Sequence, residues 1–175
     1  DYLHKCIESV QQQDYDNYLH VLIDDGSDDK IEINEKNTVV VTNTERKGCI
    51  RNQIEAIKQY TKEDDIVILL DGDDWLVNNN TIFHLYNDIY SRGYEFTYGS
   101  CWSQEDNIPH IAQDYSTETK LNKSYRKELF NWNIPYSHLR TFLGSVFHND
   151  KINYDALKDK DGNWMMSGAD TPFFY

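Results

Sequence analysis

The fold of this chain is decided at residues 66–74, which read IVILLDGDD. Five apolar residues, rich in β-branched side chains, end abruptly in an acidic cluster, and residues 21–25, VLIDD, repeat the pattern on a smaller scale. Short apolar runs bounded by Asp and Gly are typical of buried strands in a parallel sheet. Since ligands bind at the carboxyl ends of such strands, both clusters are predicted to lie at one ligand-binding edge.

Seven carboxylates gather at that edge if the two strands share a sheet: Asp24, Asp25, Asp28, Asp29, Asp71, Asp73 and Asp74. Like charges at close range repel one another and cannot all stay ionised unless a cation joins them. A divalent metal that carries a phosphate-bearing ligand would satisfy this requirement.

Composition narrows the choice of partners. The 175 residues are predicted to form one domain, and a net charge of −13 with a pI near 4.7 opposes a nucleic acid or an anionic membrane as partner. No apolar run reaches the ~20 residues of a membrane span, and no signal-peptide pattern is present. Cys6, Cys49 and Cys101 lack zinc-site spacing, which predicts reduced thiols in a cytoplasmic protein.

Apolar periodicity predicts helices and strands in alternation up to residue 98. The predicted helices cover residues 2–12, 48–60 and 81–90, and the predicted strands cover 18–23, 38–41, 66–70 and 94–98. Such alternation predicts an α/β fold with a mostly parallel sheet and helices on both faces. Beyond Cys101 the sequence is aromatic and irregular, and a hairpin turn is predicted at residues 159–163.

The two ends of the sequence predict a fragment of a larger protein. The chain opens inside a helical pattern, and it stops just after Asp170-Thr171-Pro172, where another helix is predicted to begin. The predicted strand at 18–23 is also left in need of a partner along one edge.

Three motifs resemble, in order and spacing, the nucleotide-sugar half of the family-2 glycosyltransferases, which have the GT-A fold. They are LIDDGSDD at residues 22–29, ERKGCIRN at 45–52 and LLDGDDW at 69–75. The resemblance covers about residues 1–100 as the donor half and leaves 101–175 as the acceptor half. The family normally has a first strand before the opening helix, and the lack of such a strand here agrees with a fragment.

The resemblance implies a metal-dependent glycosyltransferase. It would move a sugar from a nucleotide-diphosphate donor, UDP-linked in preference to GDP-linked, to a hydroxyl of a glycan, protein or lipid acceptor, with inversion. Asp24 and Asp25 would contact the donor nucleotide, and Asp25 would accept a hydrogen bond from the uracil N3–H. In the DXD motif, Asp71 would face the ribose and share the metal, Gly72 would leave room for the donor, and Asp73 would ligate Mn²⁺ or Mg²⁺. Taken without the resemblance, Asp-Gly clusters are also ordinary turn formers.

The resemblance places the general base at Asp170. In the family a late Asp, often preceded by Glu, removes the proton of the acceptor hydroxyl, and here Asp170 follows Ala169. The alternative is a helix N-cap before Pro172, and the two roles are compatible because an N-cap Asp can face a pocket.

Basic residues near the second predicted helix have two interpretations. Arg46, Lys47 and Arg51 lie by its start, where each cation opposes the helix dipole by about 0.3–1 kcal/mol. They either bind an anion or a base carbonyl of the donor, or pair with Glu45 and Glu55 on a solvated face.

His138 and Arg140 stand between apolar neighbours in residues 135–142, PYSHLRTF. They either contact the diphosphate or the metal, or they are a satisfied core histidine and an arginine with a buried stem.

Other families with acidic loops fit less well. A calcium-binding loop starting at Asp24 would need an oxygen ligand at its third position and Gly at its sixth, where Gly26 and Asp29 stand. A dehalogenase-type phosphatase would need Thr where Trp75 stands. Two alternatives remain: a nucleotidyltransferase of related topology, which usually has a Gly-rich basic loop, and a non-catalytic nucleotide- or glycan-binding module.

Overall fold

The computed structural model describes residues 2–77, 80–124 and 137–165. Its helices are α1 (Tyr2–Gln11), α2 (Cys49–Tyr60), α3 (Ile82–Ser91) and α4 (Thr117–Asn122). Its strands are β1 (His20–Asp24), β2 (Thr38–Thr42), β3 (Ile66–Leu69), β4 (Phe96–Gly99), β5 (Cys101–Ser103), β6 (Ile108–His110) and β7 (Ser137–Leu143). Every helix and strand that the alternating pattern predicts is confirmed, with bounds that differ by two residues at most.

Helices α1 and α2 form because their apolar residues recur at helical spacing. Helix α1 buries Cys6 and Val10, and α2 buries Ile50, Ile54 and Ile57. Each helix therefore turns one apolar face inward and leaves its polar residues on the other.

Within the described residues, the strands form three small sheets. Strands β1 and β2 pair in parallel, from His20 opposite Thr38 to Asp24 opposite Thr42. Strand β7 lies between β3 and β4 and pairs antiparallel with both, while β5 and β6 form an antiparallel hairpin.

The mostly parallel sheet that the sequence predicts is not confirmed. Strands β3 and β4 run in the same direction, as a crossover through α3 requires, but β7 lies between them and runs the opposite way. The sequence gives no signal for β7, because its buried positions include the polar residues Arg140 and Thr141, which hide the apolar alternation.

The main apolar core joins α2 to the sheet that contains β3 and β7. Three isoleucines of α2 pack with Val67 of β3 and Phe142 of β7 in one buried cluster. Burial of each such side chain contributes about 1.5–3 kcal/mol. This packing fixes the register in which Leu69 lies opposite Arg140. The first residues of β7 therefore lie beside the acidic turn that follows β3.

A cavity of about 800 Å³ lies between β1 and β3. Consecutive residues of both strands line it, so one edge of each strand faces the cavity. Within the described residues, β1 pairs with β2 and β3 pairs with β7, each along its other edge. Asp25 and Asp71, which follow the two strands, also line the cavity.

Three smaller features can be compared with the sequence. The hairpin turn at residues 159–163 is confirmed, since Lys158 and Trp164 pair across it in an antiparallel bridge. Cys6, Cys49 and Cys101 form no disulfide. Among residues 2–77, 80–124 and 137–165, no helix is long and apolar enough to span a membrane.

Candidate active site at the carboxyl ends of β1 and β3

Two carboxylates and one imidazole meet at the end of β3. Asp71 and Asp74 belong to one turn, in which the Asp74 N–H donates to the Asp71 carbonyl at 3.0 Å. His138 of β7 places its Nδ1 atom 2.9 Å from Asp74 Oδ2 and 3.9 Å from Asp71 Oδ2. One potential ligand atom from each residue lies within 4.8 Å of the others, a spacing that suits a metal ion.

The chemistry of this cluster favours a cation. His138 Nδ1 is buried and makes no hydrogen bond within the described residues, so its contact with Asp74 has an ion-pair distance without hydrogen-bond geometry. Burial raises the pKa of Asp74, and the charges of Asp71 and Asp73 raise it further, against the opposing effect of His138. A divalent ion would relieve this repulsion and ligate the imidazole nitrogen.

Arg140 brings a positive charge to the cluster from β7. Its side chain is 5% exposed, and its Nη2 atom lies 3.5 Å from Asp71 Oδ2 and 3.4 Å from His138 Nε2. The guanidinium is thus buried beside the acidic turn and does not extend to the solvent. The structure brings together His138 and Arg140 with Asp71, as the functional interpretation of residues 135–142 requires.

Helix α1 supports the acidic turn from the other side. The Ser9 hydroxyl accepts the N–H of Leu76 at 3.0 Å, and the Cys6 thiol contacts the Asp71 carbonyl at 3.7 Å. Burial, together with the nearby carboxylates, raises the pKa of Cys6 to about 11, so its thiol keeps its proton. The backbone of the turn is therefore held in place independently of its carboxylates.

Asp25, after β1, is held by the loop before α2. Its Oδ1 atom accepts the N–H of Lys47 at 2.8 Å and the Asn43 amide at 2.9 Å, and its Oδ2 atom accepts the N–H of Gly48 at 2.9 Å. Burial raises the pKa of Asp25, but hydrogen bonds from Lys47, Asn52, Gly48 and Asn43 outweigh it and lower the pKa to about 2. The carboxylate is therefore ionised and fixed in orientation at neutral pH.

Gly26 allows the loops around Asp25 to pack against each other. Its φ is +78°, in the left-handed region that favours glycine, and a Cβ there would lie 3.3 Å from Glu45 C and 3.4 Å from Arg46 N. Asp24, in contrast, is 2% exposed, and its Oδ1 atom accepts the Ser27 N–H at 2.9 Å. Asp24 therefore forms the turn, and its predicted contact with the donor stays a prediction.

The basic cluster is partly paired with acids. Lys47 Nζ and Arg51 Nε each bind the Glu55 carboxylate, at 2.8 Å and 2.7 Å, and these contacts lower the pKa of Glu55. Arg46 is exposed on the loop that packs against Gly26. The solvated-face interpretation thus describes Lys47 and Arg51, and a donor contact by Arg46 or Arg51 stays a prediction.

The remaining predicted site residues are less constrained. Gly72 and Asp73 are exposed on the acidic turn. Among the described residues, the potential ligand atoms that lie close together belong to Asp71, Asp74 and His138, and Asp73 is not one of this group. A Cβ added to Gly72 would meet Leu3 at 3.8 Å, so the protein itself has room for a side chain there. Asp170 lies outside the described residues.

Sequence reasoning missed three residues of the site. The sequence places Asp74 in the acidic cluster, directly after the DXD motif, but does not indicate it as a candidate metal ligand. Asn52 ends the motif at residues 45–52, but the sequence does not show that it or Asn43 binds Asp25, because an Asn after a strand or within a helix is common.

The match to a known family covers both acidic loops, His138 and Arg140, and ends before Asp170. Residues 1–152 match the family described as Glycosyl transferase family 2. The chain belongs to this family, which confirms the resemblance of the three motifs and implies the GT-A fold. Membership also supports glycosyltransferase activity. None of the curated proteins matches the chain.

Proposed function

We propose that this protein is a metal-dependent glycosyltransferase that moves a sugar from a UDP-sugar to an acceptor hydroxyl with inversion. Family membership supports the class of reaction. The main support for a bound metal ion and for diphosphate binding is the cluster of Asp71, Asp74 and His138, with Arg140 buried beside it.

Asp71, Asp74 and His138 would hold the divalent ion, and Asp73 on the same turn remains a further predicted ligand. The buried Nδ1 atom of His138, which makes no hydrogen bond within the described part of the chain, and the raised pKa of Asp74 fit such an ion. Carboxylates suit both Mg²⁺ and Mn²⁺, whereas an imidazole ligand favours Mn²⁺. When bound, the ion would neutralise charge on the leaving nucleoside diphosphate.

Asp25 and Arg140 would bind the two ends of the donor. The ionised Asp25 carboxylate would accept the N3–H of uracil, and the Arg140 guanidinium would bind diphosphate oxygens through its paired N–H groups. Because Asp71 contacts Arg140, it would orient that guanidinium as well as face the ribose. The space around Gly72 would let the donor approach the turn closely.

Asp170 would act on the acceptor. It would take the proton of the acceptor hydroxyl while the oxygen forms a bond to the anomeric carbon of the sugar. The bond from that carbon to the diphosphate breaks at the same time, and its electron pair leaves with UDP. Displacement from the opposite side inverts the anomeric centre. Arg140 would stabilise the negative charge that develops on the leaving diphosphate.

Calorimetry with UDP tests the donor and the metal together. Wild type should bind UDP with Mn²⁺ and lose binding in EDTA, and Asp74→Asn and Asp73→Ala should each weaken metal-dependent binding at least about tenfold. Asp88→Asn is a matched control, because Asp88 is an exposed carboxylate of α3 that pairs with Arg92. Equal UDP affinity with Mn²⁺ and with EDTA would contradict the proposal.

A second assay separates catalysis from binding. Release of UDP from a panel of UDP-sugars should require Mn²⁺ and should exceed release of GDP from GDP-sugars. Metal-dependent binding of UDP without hydrolysis or transfer of any sugar would instead identify a nucleotide-binding module.

A further inference from the structure

A buried pair of amides lies behind Asp25. Asn43 follows β2 and Asn52 lies in the first turn of α2, and they are 7% and 8% exposed. Asn43 Nδ2 donates to Asp25 Oδ1 at 2.9 Å and to Asn52 Oδ1 at 2.8 Å. The Asn52 side chain also hydrogen-bonds to Asp25. The two amides and the carboxylate thus form one hydrogen-bonded group, with Asn43 between the other two.

The amides complete a ring of donors around the carboxylate. The N–H groups of Lys47 and Gly48 bind one oxygen each, and the two amides supply the other donors. Because donors approach both oxygens, they fix the plane of the Asp25 carboxylate. Asn43 divides its two N–H groups between Asp25 and Asn52, so the two amides hold each other as well as the carboxylate.

A carboxylate fixed as an acceptor distinguishes two pyrimidines. Uracil has an N–H at position 3, whereas cytosine has a lone pair there, which an ionised carboxylate repels. We infer that Asn43 and Asn52 are positioning residues that orient Asp25 and thereby set a preference for uracil over cytosine. The inference rests on the proposed role of Asp25 as the acceptor for the base.

The test compares three probes in the presence of Mn²⁺: UDP, CDP and pyrophosphate, which has no base. The variants are Asn52→Leu and Asn43→Ser. The second is the milder change, because the smaller serine leaves room for a water molecule, and it serves as the test if Asn52→Leu does not fold. Each should reduce the preference for UDP over CDP about tenfold. The affinity for pyrophosphate should stay within about twofold of wild type, because neither amide makes a hydrogen bond to the acidic turn within the described residues. Tyr90→Phe is the control, because it removes another buried hydrogen bond, to Thr141 at 2.8 Å, and it should keep the preference.

Each other outcome overturns the inference in a distinguishable way. Wild type that binds UDP and CDP equally would overturn the proposed role of Asp25, and this inference with it. An unchanged preference in both variants would overturn this inference alone. Equal losses for UDP, CDP and pyrophosphate would show that the amides only stabilise the loop.

Discussion

Nδ1 of His138 lies 2.9 Å from Oδ2 of Asp74, although the two residues belong to opposite halves of the sequence. The antiparallel register that places Leu69 opposite Arg140 produces this contact, because β7 runs back along β3 and begins beside the acidic turn. An imidazole nitrogen and a buried guanidinium thereby lie beside the turn. The candidate site is thus built by the sheet and not by one motif.

Asp25→Ala should weaken UDP binding more than it weakens GDP binding. The carboxylate is ionised, and its loss removes a charged acceptor that matches the uracil N3–H. Calorimetry with both nucleotides and Mn²⁺ measures the difference, and a melting curve checks that the variant is folded. Equal losses for the two nucleotides would make Asp25 a loop-forming residue, and the assignment of UDP would fall.

The lowered pKa of Asp25 should also make part of the protein's stability depend on pH. The pKa of Asp25 is lowered to about 2 in the folded state, from an ordinary value of about 3.9. The ionised Asp25 therefore contributes fully to the free energy of unfolding above about pH 4, and this contribution is lost as the pH falls through about 2. The difference in unfolding free energy between wild type and Asp25→Ala should be constant from about pH 7 to 5 and shrink below about pH 4. A constant difference down to the lowest pH at which wild type folds would contradict this pKa.

Gly26→Ala should destabilise the protein more than Gly162→Ala does. Both glycines have positive φ, +78° and +83°, so each substitution should cost about 1–2 kcal/mol in backbone strain. Gly162 has open space around it, whereas a Cβ at Gly26 would press on the backbone of Glu45 and Arg46. Urea unfolding of the two variants measures how much more unfolding free energy Gly26→Ala loses than Gly162→Ala. Equal losses would show that the loops around Asp25 do not depend on this close approach.

Local patterns made much of the fold and part of the site predictable. The runs that end in Asp24 and Asp71 are strand-like over four or five residues, and the helices up to α3 repeat apolar residues over two or more turns. Such signals depend on neighbours in sequence. They therefore predict the acidic turn and the position of Asp25 without any tertiary contact.

The rest depends on contacts between distant residues. Strand β7 buries polar side chains, so its pattern did not indicate a strand, and neither the antiparallel sheet nor the meeting of His138 with Asp74 could be derived. The amides Asn43 and Asn52 show their role only through their hydrogen bonds, which join the residue after β2 to Asp25 and to the first turn of α2.

Asp170→Asn should separate catalysis from binding. The substitution keeps the shape and a capping oxygen but removes the basicity, and a general base is worth roughly 10²–10⁴ in rate. We expect normal binding of UDP and Mn²⁺, a melting temperature within a few degrees of wild type, and at least about a hundredfold loss of transfer. Transfer at the wild-type rate would leave Asp170 as a helix cap and place the base elsewhere.

The central claim is that a metal ion sits between the acidic turn and β7. Pulsed electron paramagnetic resonance of Mn²⁺ bound with UDP detects a directly coordinated nitrogen, and uniformly ¹⁵N-labelled protein identifies that nitrogen as the protein's own. The account predicts a coupling from one imidazole in wild type that disappears in His138→Gln and persists in His148→Gln, whose imidazole bonds to Thr61 at 2.9 Å. Bound Mn²⁺ without nitrogen coupling, or a coupling that survives in His138→Gln, would contradict it.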